Sequence, residues 1–274
     1  MQGGDVRRFV HAITVVASLL SLVGAVAGVP AASATTTRRV SVSAAHANVT
    51  LGERAVLTVT LSPVAGARTV QIQTLTKDIF GNTSWTRVSA QHVSGVAKHV
   101  FKPVVDHADQ QRFRAVVSYT TGPSAVSKSL GITVWSWTPL WGFSSYYATN
   151  GIFDSRYLTF AMAGNQYVGW YTYGTYGMWE KRYTSGRHCK TFRGDFGVTD
   201  SSADGSTGQF DIVSVDTGDT LYTSPALSPG AVVTAKFALP TPYRISIQAR
   251  NTSPDGLVSY PAIGDPELLC TGLG

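Results

Sequence analysis

The sequence predicts an all-β protein, an Ig-like β-sandwich followed by a jelly-roll β-sandwich. Three observations carry this. Charged residues make up only 14% of the chain, whereas Thr, Ser, Val, Gly and Tyr are plentiful, a composition of strands and turns. Beyond residue 30 apolar residues recur at every second position, and no stripe of helical period stands out. Aromatic content then changes near residue 136. Eleven of the 12 tyrosines follow it, as do Trp137, Trp141, Trp170 and Trp179, and "WSWTPLWG" marks the junction. The expected divisions are therefore 1–34, 35–135 and 136–274.

Residues 1–34 read as a signal peptide. Arg7 and Arg8 precede the apolar run "FVHAITVVASLLSLVGAVAGV", Pro30 ends it, and Ala32 and Ala34 suit a cleavage site. The run is long enough that an uncleaved N-terminal membrane anchor is the alternative. No second apolar span follows. Both readings put the rest of the chain outside the membrane, secreted or extracellular.

In residues 35–135, "AVLTVTLS" sets Leu57, Val59 and Leu61 on one face and Thr58 and Thr60 on the other. "RFRAVVSY" sets Phe113, Ala115, Val117 and Tyr119 against Arg112 and Arg114. Further strands fit 39–44, 68–76, 85–90, 96–101 and 126–134, with turns at "LSPVAGA", "DIFGNTS" and "TTGPSA". Seven short strands in about a hundred residues favour an Ig-like sandwich. His46, His92, His99 and His107 lack metal-ligand spacing and read as surface histidines.

Residues 136–274 alternate as cleanly. Phe192, Phe196 and Val198 oppose Arg193 and Asp195; Val233, Ala235, Phe237 and Leu239 oppose Thr234 and Lys236; Ile245, Ile247 and Ala249 oppose Arg244, Ser246, Gln248 and Arg250. Each strand thus has one dry and one wet face. In "YVGWYTYGTYGMWEKRY" the stretch "GTYG" predicts a hairpin pairing Tyr173 with Met178 and Thr172 with Trp179. Val168, Trp170, Thr172 and Trp179 would face the core, and Tyr171, Tyr173, Met178, Glu180 and Arg182 the solvent. Tyrosine rings can stack on pyranose C–H groups while charged side chains hold hydroxyls, so Tyr171, Tyr173, Glu180 and Arg182 are the candidate carbohydrate-binding residues. The alternative is that these aromatics are only packing and strand formers.

"DSSADGSTGQFD" places Asp200, Ser202, Asp204, Gly205 and Asp211 at offsets close to those of an EF-hand loop. Alternating segments flank it where helices should stand, and an extended Asp211 cannot fold back to Asp200. It reads as a hairpin turn, with no metal site expected. Glycosidase chemistry requires only two carboxylates, and this half has eleven. But no G-x-S-x-G, H-E-x-x-H, P-loop or C-x-x-C occurs, so no enzyme and no cofactor is expected. Residues 35–135 carry 11 Lys/Arg against 4 Asp/Glu, and 136–274 carry 9 against 11. The scattered basic charge suits a solvated face or an anionic cell-wall polymer, and export disfavours nucleic acid.

The run "CKTFRGDFGVTDSSADGSTGQFDIVSVDTGDTLYTSPALSPG", then "YRISIQAR" and "AIGDPELLC", resembles the NPCBM-like domain over residues 187–272. The resemblance implies a galactose-binding-like jelly roll that binds carbohydrate without catalysis, and a Cys189–Cys270 bridge. Residues 35–135 resemble bacterial Ig-like modules in pattern only. The expected partner is a glycan or cell-wall polysaccharide; the rival is a structural or adhesive surface protein without a sugar pocket. Intact-mass analysis of secreted protein should find a chain starting near Thr35. Membrane-retained protein starting at Met1 or Gln2 would instead indicate the anchor.

Overall fold

The computed structural model describes residues 37–175 and 177–272. The predicted signal peptide, residues 1–34, lies outside them. Among the described residues the regular structure is nineteen strands and one 3₁₀ turn, Leu140–Gly142. The expectation of an all-β protein of consecutive sandwiches is borne out.

The first sandwich contains β1 (Arg39–Ala44), β2 (Asn48–Thr50), β3 (Leu57–Ser62), β4 (Ala67–Lys77), β5 (Thr83–His92), β6 (Lys98–Phe101), β7 (Asp109–Tyr119), β8 (Ala125–Val126) and β9 (Leu130–Pro139). One sheet runs β1-β3-β6, and the facing one runs β9-β7-β4-β5. Leu57, Val59 and Leu61 of β3 meet Val70 and Ile72 of β4 and Phe113, Ala115 and Val117 of β7 in one buried cluster, as alternation requires. The short β2 pairs in parallel with β9 and was not evident from its three residues. His99 is not a surface residue. It is buried, with Nε2 3.0 Å from the Val96 carbonyl and Nδ1 3.4 Å from Gln91 Oε1.

The second sandwich contains β10 (Ser145–Ala148), β11 (Ile152–Met162), β12 (Asn165–Thr172), β13 (Met178–Thr184), β14 (Cys189–Val198), β15 (Gly208–Ser214), β16 (Thr220–Thr223), β17 (Val232–Ala238), β18 (Arg244–Asn251) and β19 (Pro261–Cys270). One sheet runs β10-β13-β18-β15-β16; the other holds β11, β12, β19, β14 and β17. Between them Trp170, Trp179, Phe192, Phe196, Phe210, Ile245 and Ile247 form a sealed core. Its aromatic rings are in continuous contact. Trp170 meets the edge of Phe210, Phe210 meets Phe196, and Tyr222 stacks on Phe237 with centroids 4.6 Å apart.

Two pairing expectations are overturned. Residues 165–184 do not form a hairpin: β12 pairs with β11 and β19, whereas β13 pairs with β10 and β18. The loop 199–207 is likewise no hairpin turn, because β14 and β15 belong to opposite sheets and the chain crosses between them there. Trp170, Thr172 and Trp179 are nevertheless inward as predicted, as are Phe192, Phe196 and Val198, whereas Val168 is only partly buried and lies outside the core cluster. Each connection joins the two layers, where a local turn signal suggested neighbours in one layer.

The strand β9 crosses the aromatic boundary without a break. Its first half pairs with β7, and its second half pairs with the end of β19, from Ser136↔Cys270 to Pro139↔Glu267. Cations brace the same stretch: Lys190 Nζ lies 3.8 Å from the Trp135 ring centre, and the Arg193 guanidinium lies 4.0 Å from that of Trp137 while pairing with Glu267.

Cys189 and Cys270 face each other across β14 and β19 and are disulfide-bonded, their Cα atoms 4.0 Å apart. The bond closes a separation of 81 residues. Cys270→Ser should therefore lower stability by about 4 kcal/mol, and Trp170→Ala by about 3 to 5 kcal/mol, since its indole is fully buried. Denaturant unfolding of both variants is the check. Two titratable thiols in the native, unreduced protein would exclude the bond.

Candidate functional site

Parity along β12 and β13 is as the sequence indicates: Trp170, Thr172 and Trp179 are buried, and Tyr173 and Met178 are exposed. Because the two strands lie in different sheets, their outward faces point to opposite sides of the sandwich. The structure brings Tyr171 and Tyr173 together. It does not bring Glu180 and Arg182 to them.

Tyr171 and Tyr173 line a cleft of about 220 Å³. Tyr171 stacks on Phe153, with centroids 5.1 Å apart, and tilts against Phe160 at 5.2 Å. Burial pushes its hydroxyl pKa above the usual tyrosine value. Tyr173 is 60% exposed and stacks on Tyr260 at 5.1 Å. Its backbone N–H donates to the Gly151 carbonyl at 2.7 Å. Gly151 has φ +79°, and a Cβ there would stand 2.2 Å from the Tyr173 carbonyl oxygen, so this close approach requires glycine. Hydroxyls of Thr159, Thr199 and Ser201 complete the lining, which contains no charged side chain.

The acidic loop builds this cleft. The Asp200 carboxylate accepts the N–H groups of Ala163 and Gly164 at 2.7 and 2.9 Å, and its own N–H donates to the Ala161 carbonyl. Ser202 Oγ accepts the Tyr260 N–H at 2.9 Å, and the Thr199 N–H donates to the Tyr260 carbonyl. Asp200 thus pins the segment carrying Thr199 and Ser201 onto the β11–β12 turn. Asp211 lies inside β15, where it pairs with Arg250 at 2.6 Å and accepts the Thr223 hydroxyl. Asp200 and Asp211, the first and last carboxylates of the calcium-like motif, thus have separate partners.

On the other side, Glu180 and Arg182 share the outer face of β13. Glu180 accepts Arg182 Nε at 2.7 Å, the Ser246 hydroxyl at 2.7 Å and Gln248 at 3.4 Å, and the Arg182 guanidinium lies 4.8 Å from the Tyr147 ring centre. Arg250, bonded to Gln209 and Asp211, extends this polar face. These side chains already satisfy one another. A third polar group sits within the sandwich: Asp154, 4% exposed, accepts the Tyr183 hydroxyl at 2.6 Å and Lys181 Nζ at 3.2 Å. Burial first, then the Asp154 charge, raises the Tyr183 pKa well above its ordinary value. Lys181 shares the inward side of β13 with Trp179 and Tyr183, although its charge gives no sign of burial in the sequence.

A groove of about 660 Å³ lies on the first sandwich along β1 and residues 126–130. Its walls combine aliphatic side chains and hydroxyls with Arg38, Arg39 and Lys128, and no aromatic ring lines it. It lacks the stacking surface that a sugar ring uses.

No family model matches the chain, and no curated protein matches it. Solved structures similar to it include a Clostridium perfringens ZmpB structure joining a catalytic domain to CBM51-1 and CBM51-2 domains. That match has 12% identity and a TM-score of 0.40, covering 86% of this chain and 31% of that one. This chain thus spans about a third of that structure's length. Another is CBM51 from Clostridium perfringens GH95 in complex with methyl-galactose, at 15% identity and TM-score 0.39, covering 48% of this chain and 99% of that one. The SusE-like protein BT2857 is similar at 11% identity and TM-score 0.28, over 84% and 96% of the two chains.

The Glu180 cluster has a titration signature. Burial alone would raise the Glu180 pKa, but hydrogen bonds from Arg182, Ser246 and Gln248 and the Arg182 charge outweigh it and hold the pKa below the usual carboxylate value. A depressed folded-state pKa stabilises the protein above the unfolded value, and that contribution is lost as pH falls through the folded one. The melting-temperature gap between the unmutated protein and Glu180→Gln should be widest near neutrality and close across the acid range. A gap independent of pH would show that the carboxylate makes no such contribution.

Proposed function

We propose that the chain is a secreted, non-catalytic carbohydrate-binding protein, in which residues 35–135 form an Ig-like supporting module and residues 136–274 the binding domain. The observation that carries this reading is the uncharged cleft where Tyr171, Tyr173 and Tyr260 converge with the hydroxyls of Thr159, Thr199 and Ser201. Ring faces match the C–H surface of a pyranose, and hydroxyl and phenol groups exchange hydrogen bonds with its OH groups. A neutral lining suits a neutral sugar, since a buried charge without a partner is costly. The sequence resemblance of residues 187–272 to the NPCBM-like domain points the same way.

Glu180 and Arg182 are not part of this site in our reading. Their capacity is spent on each other and on Ser246 and Gln248, and engaging a sugar would first require breaking an ion pair.

A glycan array of residues 35–274, followed by calorimetric titration of the best neutral ligand, tests the proposal. Tyr173→Ala should weaken binding by at least about tenfold, a loss of about 1.4 kcal/mol, while leaving thermal unfolding nearly unchanged because the ring is exposed. Absence of any glycan binding at millimolar concentration would refute the function. Undiminished binding by Tyr173→Ala would refute the site.

A further inference from the structure

A second, larger cleft of about 400 Å³ lies where the 3₁₀ turn, the β13–β14 connection and the start of β18 meet. Phe143 and Tyr243 line it with ring surface, Ser144 and Thr184 with hydroxyls, and His188 with an imidazole. Arg187 lies between two lining residues and is exposed. Neither Arg187 nor His188 has an ion-pair partner among the described residues, and no carboxylate lines the cleft there.

The loop that carries Arg187 and His188 is held firmly. The Ser185 and Gly186 N–H groups both donate to the Tyr243 carbonyl at 2.9 Å, the Arg187 N–H to Pro242 at 3.2 Å, and the Ser185 hydroxyl to Pro242 at 2.7 Å. Gly186 and Arg187 both have positive φ, 63° and 64°. For arginine that conformation is unfavourable and persists where surrounding bonds impose it. These bonds fix the backbone that carries Arg187 and His188 at the edge of the cleft.

We propose that this cleft is a second saccharide-binding site, specific for a single uronic-acid residue. The sugar ring lies against Tyr243 and Phe143, and its carboxylate takes hydrogen bonds from Arg187 and His188. A guanidinium can hold both carboxylate oxygens at once. The contrast with the cleft at Tyr173, whose lining is uncharged, assigns the two sites different sugars. They also lie far apart. His188 precedes β14 and Thr199 follows it, so ten extended residues, about 30 Å, separate the clefts. The domain would hold an acidic and a neutral sugar at opposite ends.

This inference does not rest on the neutral site. The probes are D-glucuronate and its neutral counterpart methyl glucoside, titrated into residues 35–274 and followed by calorimetry and amide chemical shifts. D-glucuronate should bind at least about tenfold more tightly than methyl glucoside, with shifts confined to residues 142–144, 184–188 and 243. The double variant Arg187→Gln/His188→Gln should lose that preference, and Tyr173→Ala should keep it. Both substituted side chains are exposed, so the fold should persist, and thermal unfolding checks this. Equal affinity for the two probes, retention of glucuronate binding by the double variant, or its loss through Tyr173→Ala would each overturn the proposal. Failure of neutral-sugar binding alone would count only against the cleft at Tyr173.

Discussion

Strand β19 holds the molecule together because both of its edges are occupied along most of its length. One edge carries β14, from Val198↔Pro261 to the disulfide at Cys189 and Cys270. The other carries β12 over residues 262–264 and then β9 over residues 267–270. Without β19, β14 and β17 would lose their connection to β11 and β12, and β9 would end as an unpaired edge. An unpaired edge exposes backbone groups to other chains. The disulfide therefore locks the last strand at the position where loss of pairing would open the domain.

The handover between β12 and β9 on one edge of β19 makes the junction near residue 136 a continuous strand. The side chains at this point are suited to it. Trp135 and Trp137 each receive a cation from the β14 side, and Arg193 is shared between Trp137 and Glu267. Aromatic rings with partly covered cations make a joint that needs no hydrophobic interface of domain size.

The same architecture explains why polar residues gather in separate places. A sandwich has two outer faces and two ends. On one outer face Glu180 holds Arg182 and Gln248, and Arg250 pairs with Asp211. The clefts form at the ends, where connections between layers bring distant residues together: residues 199–202 beside Tyr260 at one, residues 184–188 beside Tyr243 at the other. Asp200, the first residue of the calcium-like motif, acts in this framework by tying one connection to a turn.

What the sequence determined by itself was local. Alternation along 57–61, 113–119, 192–198 and 245–249 assigned the inward side chains correctly, because a strand's period of two is a property of its own backbone. Parity likewise put Trp170 and Trp179 in the core and Tyr173 outside. Only the tertiary structure decided which strands are neighbours. "GTYG" and the Asp-rich loop carry turn chemistry, and turn chemistry is the same whether a chain doubles back within one sheet or crosses to the other. That single ambiguity separated Glu180 and Arg182 from Tyr171 and Tyr173. It also concealed Tyr260, which reaches Tyr173 from 87 residues downstream and has no marker in its own segment.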